Sequence, residues 1–153
     1  MTRILADVKL DFQDVLIVPK RSELSSRSEV VLERTYKFKN SGQTWTGIGI
    51  IASNMDGVGT LGMASALAPE KMLTALVKHY SNIALEPVFT DPNTKNNVIF
   101  SIGSSDSDYQ KYKAFAKTVC QPLFLMVDVA NGYSQKFIDF ISKVRDENPT
   151  LVS

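Results

Sequence analysis

Cysteine is almost missing from this chain: Cys120 is the single one in 153 residues. That excludes an intrachain disulfide and any cysteine-based zinc cluster, and it fits a reducing compartment. Histidine is as scarce, with His79 alone. No metal site can be assembled around it, and a solitary imidazole is more often structural than catalytic. Long apolar runs are lacking too. No stretch approaches the ~18 apolar residues of a membrane span, and the start, Met1-Thr2-Arg3-Ile4-Leu5-Ala6-Asp7, meets charge before an apolar segment of signal-peptide length. A cytoplasmic chain without a membrane partner is expected. An excess of one charge is also absent, since 17 Lys and Arg oppose 16 Asp and Glu. The electrostatic footprint of a nucleic-acid binder is therefore missing, and no such partner is expected.

What remains is a globular composition, 44% apolar and 22% charged, in a chain the size of one ordinary domain. The first forty-odd residues alternate short apolar runs (Val15 to Val18, Val30 to Leu32, Tyr36 to Phe38) with charged and Ser-rich pieces, and Pro19 stops the first run. This reads as an extended arm with short strands. After the turn signal Asn40-Ser41-Gly42 the pattern changes. Apolar runs of strand length begin near Ile48, Leu73, Val98 and Leu123, at a period of 25 residues that suits a repeated strand-helix unit. They are almost continuously apolar, as strands of a parallel sheet buried on both faces are.

Helical signals fill three of the gaps. Leu61 to Ala68 is a short helix closed by Pro69. Tyr112, Phe115, Ala116 and Val119 form one stripe behind Asp106 or Ser107 as N-cap, and Phe137, Ile138, Ile141 and Val144 form another between Ser134 and Pro149. Ser81 to Asn97, with Pro87 and Pro92, shows no clean period and gives only a weak helix signal. A fifth strand would open at Leu151-Val152-Ser153.

The expected fold class is α/β: a β/α (TIM) barrel represented by its first four βα units with an N-terminal β arm, hence a truncated barrel. Residues 1–153 would be half of one barrel domain, with 1–47 the arm and short strands and 48–153 the βα units. A whole barrel typically takes about 250 residues. The competing architecture is an open flavodoxin-like or Rossmann-like sheet. Polar residues favour the barrel. All four strand ends carry them, in Asn54-Met55-Asp56, Lys78-His79-Tyr80, Ser104-Ser105-Asp106, and Asp128 with Asn131, whereas an open sheet concentrates them at one switch point.

Gly57-Val58-Gly59-Thr60-Leu61-Gly62 spells G-x-G-x-x-G after a strand and before a helix, which is formally the dinucleotide fingerprint. The acid required ~20 residues later, at the next strand end, is replaced by Lys78-His79, a pair that could read only an NADP phosphate. The plainer reading is a glycine-rich turn. Asp128 lies between Met126-Val127 and Val129-Ala130, a desolvated setting in which a carboxylate needs a partner, and it is read as functional. Asp56 suits a helix cap or a solvent-facing acid equally. Cys120, at the far end of a helix before the fourth strand, is on the wrong face for catalysis. Ser25-Ser26-Arg27-Ser28 has the donors of a phosphate site and equally the composition of an exposed loop.

Five segments taken together carry a resemblance: Lys9-Leu10-Asp11-Phe12-Gln13-Asp14-Val15-Leu16, Ser26-Arg27-Ser28-Glu29-Val30, Ile50-Ile51-Ala52-Ser53-Asn54-Met55-Asp56, Lys78-His79-Tyr80-Ser81 and Asp128-Val129-Ala130-Asn131-Gly132-Tyr133-Ser134. In this order they resemble the IMP dehydrogenase/GMP reductase family. Lys-His-Tyr and Asp-Val-Ala-Asn-Gly look like the reductase forms. The dehydrogenases usually carry a regulatory domain after the second barrel strand, where only 17 residues, Ser81 to Asn97, stand here. An IMP dehydrogenase relative, a non-catalytic fragment and a Rossmann-like NADP-binding module are the alternatives.

The resemblance implies NADPH-dependent reductive deamination of GMP to IMP and ammonia. A cysteine thiolate would attack the purine carbon bearing the amino group, a Thr and Glu pair would help ammonia leave, and hydride from NADPH would complete the product. By motif match, Lys78 and Asp128-Val129-Ala130 would contact NADPH, Ser26 and Arg27 would reach the cofactor of a neighbouring subunit, and Asn54 and Met55 would line the floor beneath the purine. A homotetramer is implied, as is a K+ ion in the full-length form only. Two departures stand out. Gly57 replaces the Thr usual after the Met-Asp pair, so the fingerprint looks like an accident of that substitution. The loop bearing the nucleophilic Cys and the catalytic Thr and Glu belong to the family's second half and have no match here. This chain would therefore hold no catalytic residue and be inactive alone.

Overall fold

The computed structural model describes residues 6–153; the reading of Met1–Leu5 as a start without a signal segment lies outside the described residues. The chain divides into two units, the first running to Val31 and the second spanning Leu32–Ser153. The first contains two 3-10 turns, Phe12–Asp14 and Arg27–Glu29. Asp11 and Asp14 cap the first reciprocally: the Asp11 carboxylate accepts from Phe12 N at 2.7 Å while Asp11 N donates to Asp14 at 2.9 Å. The short strands expected at Val15 to Val18 and Val30 to Leu32 do not form. An apolar run becomes a strand only within a ladder; among the described residues none includes Val15 to Val18, and Val30 closes the second turn by donating to Arg27 O at 3.2 Å.

The second unit opens with an antiparallel hairpin of β1 (Arg34–Lys37) and β2 (Thr44–Gly47), in which Tyr36 opposes Trp45. Gly42, at φ +69°, supplies the left-handed residue of the turn, where its N–H donates to Phe38 O at 2.9 Å. Then come β3 (Ile51–Ala52), α1 (Leu61–Leu67), β4 (Leu73–Ala75), α2 (Asn82–Thr90), β5 (Val98–Ile102), α3 (Asp106–Thr118), β6 (Phe124–Val127) and α4 (Gln135–Glu147). β3 is short because Ile50 N turns back to Ile48 O at 2.7 Å, although Ile48 N donates to Lys71 O at 2.8 Å and Ile50 O accepts from Leu73 N at 3.1 Å, so Ile48–Ile50 already run beside the segment that becomes β4.

β3 to β6 form one parallel sheet in the order β3-β4-β5-β6, each strand beside its predecessor. Val152 adds a parallel bridge to Phe124, and Leu125 N donates to Val152 O at 2.9 Å. A doubly wound sheet reverses direction at a switch point; this order does not. It is the singly wound sequence that a β/α barrel also follows, and four strands with one bridge do not close.

Alternation along the strands makes two apolar faces. Leu76, Val98, Phe100, Ile102 and Leu125 join the helices in one cluster, centred on Phe100, which lies 5.0 Å from Phe115 and 5.7 Å from Tyr112 between ring centroids. Leu73, Ala75, Ile99 and Phe124 form the other face and receive Trp45 from the hairpin. The indole N–H donates to Asn96 O at 3.0 Å.

Three helix readings need correction. α2 forms in the segment whose two prolines weaken the helix signal. Ser81 caps it, and Leu85, Val88 and Phe89 bury at i, i+3 and i+4, so packing outweighs an exposed Pro87. The N-cap of α3 is Ser105, ahead of both Asp106 and Ser107, accepting from Asp108 N at 3.1 Å. In α4 Ile138 is exposed, and Phe140 takes its place in the buried stripe with Val144.

α3 and α4 are joined through Glu147, whose carboxylate takes Lys113 Nζ at 2.6 Å and Tyr109 OH at 3.0 Å. The Lys113 bond, then the Tyr109 bond, hold the Glu147 carboxyl below the ordinary glutamate range. A depressed carboxylate adds stability that is present above the unfolded value and lost as pH falls through the folded one. Urea denaturation across a pH series should therefore show Glu147→Gln less stable than the parent at neutral pH, the two curves converging on acidification below the ordinary glutamate range. Curves that stay parallel would remove this role for Glu147.

Candidate functional site

Parallel strands end together, so side chains just beyond them share one rim. Lys78 follows β4 and Asp128 follows β6, two strands apart. Lys78 Nζ stands 3.7 Å from Asp128 Oδ2, with the two side chains 38% and 45% exposed. Asp128 continues the ladder, its N–H donating to Ile102 O at 2.8 Å. The apolar neighbours that suggested a desolvated carboxylate lie along the backbone but do not cover it; Asp128 is half-exposed. An ion pair at this distance and exposure is worth only ~0–1 kcal/mol, so stability gives little reason for the two charges to meet. Chemically the rim offers an ammonium and a carboxylate side by side, a donor for anionic groups and an acceptor for hydroxyls or amides.

The turn that carries Lys78 is held from α3. Lys111 Nζ donates to Lys78 O at 2.7 Å and to Tyr80 O at 2.6 Å, while Asn82 Nδ2 donates to Lys111 O at 3.1 Å. Burial pushes the Lys111 ammonium below its usual value, and Asp108 partly offsets this. Lys111 carries no motif in the sequence. Its one signal is a cation flanking the apolar stripe of α3, next to Tyr112. His79, between the two tied carbonyls, is exposed. Past Asp128, Val129 is half-buried and Ala130 exposed, and Asn131 Oδ1 accepts from Tyr133 N at 3.0 Å before Ser134 caps α4.

At the end of β3, Asn54 is half-buried and Met55 is 63% exposed. Met55 O accepts from both Val58 N and Gly59 N at 2.8 Å, which folds the glycine loop back on itself. Of the three fingerprint glycines only Gly59 is demanded by its surroundings. A Cβ there would collide with Ala75 O, 2.9 Å from Ser53 O and 3.0 Å from Asn54 Cα, whereas Gly57 faces open space and Gly62 has only Thr60 Oγ1 at 3.9 Å. Gly59 lets the loop lie against β4, where its carbonyl accepts from Val77 N at 2.9 Å.

Ser26 and Arg27 belong to the first unit, where Ser26 Oγ accepts from Ser28 N at 3.2 Å and both residues are exposed. Cys120 precedes β6, at the end of the strands opposite Asp128. Its thiol reaches Phe89 O at 3.5 Å, and burial pushes its pKa up, with Lys95 pulling partly back. No group of three or more His, Cys, Asp or Glu among the described residues could hold a metal ion, and no helix among them is long and apolar enough to cross a membrane.

A singly wound parallel sheet with chemistry on its C-terminal rim agrees with what known proteins show. Residues 9–153 match the family described as IMP dehydrogenase / GMP reductase domain, and the chain belongs to that family. Among curated relatives, the GMP reductase of Citrobacter koseri is 51% identical over 151 residues, and that of Escherichia coli O81 is 49% identical over 150. Each alignment covers 97% of this chain and 43% of the relative, so the chain spans less than half their length. Among solved structures, the inosine 5' monophosphate dehydrogenase from Legionella pneumophila matches with a TM-score of 0.69 at 25% identity, over 88% of this chain and 40% of that one.

The glycine geometry separates packing from nucleotide binding. Gly59→Ala should destabilise the chain by ~1–3 kcal/mol through overpacking against backbone, while Gly57→Ala should be neutral or stabilising by up to ~1 kcal/mol. Urea denaturation of both variants reads this directly, and equal effects would remove the close approach as the reason for Gly59.

Proposed function

We propose that this chain supplies the NADPH-contacting part of a GMP reductase, which catalyses NADPH-dependent reductive deamination of GMP to IMP and ammonia. The observation that carries the reading is the meeting of Lys78 and Asp128 at 3.7 Å on the rim of the sheet, in a chain 51% identical to a GMP reductase. The donor set suits the cofactor: a cation for its anionic groups, a carboxylate and the Val129–Ala130 backbone for its hydroxyl and amide groups. Bound NADPH supplies the hydride. Lys78 and Asp128 orient it, Ser26 and Arg27 serve the cofactor of a neighbouring subunit in a cytoplasmic homotetramer, and Asn54 and Met55 lie under the purine. Residues 1–153 form half of one barrel, with 1–47 its arm. The 17 residues from Ser81 to Asn97 are taken up by α2 and the turn after it, which leaves no inserted regulatory domain and favours the reductase over the dehydrogenase.

Attack on the purine needs a thiolate, and Cys120 is at the other end of the strands with its thiol pKa raised. The chain by itself should show no GMP-dependent loss of NADPH absorbance; turnover abolished by Cys120→Ser would overturn this placement. Cofactor contacts are tested by fluorescence titration of this chain extended by the segment of the Citrobacter koseri relative that it does not cover. Lys78→Ala should weaken NADPH by ~1.5–3 kcal/mol, the range for a hydrogen bond to a charged group, and Asp128→Asn should weaken it too. If both variants bind as the parent does, the assignment is wrong.

A further inference from the structure

Lys111 is a costly residue where it stands. A half-buried ammonium loses hydration, and the lowered pKa records that loss. Its two short bonds go to main-chain carbonyls, Lys78 O and Tyr80 O, which bracket a three-residue turn. A lysine placed only for solubility would point to water, and one placed only for helix stability would bond to an acid one turn away; Asp108 stands there and its charge favours the ammonium, but the hydrogen bonds of Lys111 go elsewhere. They span from α3 to the loop after β4, and Asn82, the first residue of α2 just beyond that loop, answers by donating to the Lys111 carbonyl. The reciprocal bonds leave the turn little freedom, and the residue that the turn presents to the rim is Lys78.

We infer that Lys111 is a positioning residue for the cofactor site: its ammonium clamps the carbonyls of Lys78 and Tyr80, and this holds the Lys78 side chain at the rim where it meets Asp128. The Lys111 ammonium bonds to the two carbonyls and not to Asp128. The inference rests on the reading of Lys78 as an NADPH contact, and its consequence is that Lys111 acts on cofactor affinity only through Lys78. A merely structural lysine would instead lower affinity to the same degree whether or not Lys78 is present.

Two measurements test it. In this chain, amide hydrogen exchange at Val77 and Leu85, whose N–H groups bond to Gly59 O and Ser81 O on either side of the turn, should quicken by about tenfold or more in Lys111→Met, as expected when a turn opens locally, while the amides of β5 stay protected. Lys111→Arg, which keeps charge and donors, should restore much of the protection, and Asn82→Ala should loosen the same amides from the opposite side. Unchanged exchange in Lys111→Met and Asn82→Ala overturns the clamp, and β5 amides that quicken equally show a general loss of structure and overturn it as well. In the extended protein, Lys111→Met should raise the NADPH dissociation constant by about threefold or more, a coupling normal for residues in contact, and should add nothing in a Lys78→Ala background. An equal loss in both backgrounds overturns the positioning role. If Lys78→Ala itself leaves NADPH binding intact, the cofactor assignment fails instead, and the exchange data decide the clamp on their own.

Discussion

Strand β5 is buried at all five positions, Val98 to Ile102, and has a parallel neighbour on each side. A strand enclosed this way must satisfy its backbone wholly through β4 and β6, because water cannot reach it. That requirement sets the register on both sides, Thr74 against Val98 and Ile99 against Phe124. It also sends Phe100 to the helices and Ile99 to the hairpin, since a slip of one residue would exchange the two faces. The helical layer, the Trp45 contact and the positions of the strand ends all follow from it.

The placement of chemistry follows from the same parallel arrangement. Strands running in one direction bring every strand-to-helix loop to one rim, so Asn54, Lys78 and Asp128, separated along the chain by whole helices, emerge at the same end of the sheet. Helix-to-strand connections collect at the other end, where Cys120 lies against Phe89 O. The division between a polar rim and an inert thiol is a property of the topology.

The glycine loop shows how a motif can share letters with a function and owe them to packing. G-x-G-x-x-G after a strand describes a phosphate cradle only if all three glycines are needed for turn, approach and helix contact. Here one is needed, and what approaches it is the chain's own backbone at the ends of β3 and β4. α1, seven residues long and capped by its own Thr60, completes a turn between strands.

The sequence by itself determined the parallel α/β class, three of the four helices, the cap at Ser134 and the strand-end residues Lys78 and Asp128. Continuous apolar runs at a steady spacing and polar residues just beyond them are local signals that packing reinforces. It also carried the family likeness, because motifs in order along a chain do not depend on coordinates. Only the tertiary structure decided that Val15 to Val18 stays outside any ladder, since a strand exists only with a partner. The tertiary structure also made α2 a helix in spite of Pro87, because Leu85, Val88 and Phe89 have a core to enter. Asp128 is half-exposed although its sequence neighbours are apolar, because solvation depends on what lies across space. For the same reason the role of Lys111 is not legible in the sequence: its bonds reach residues 31 and 33 positions away, a distance over which no periodicity in the sequence can speak.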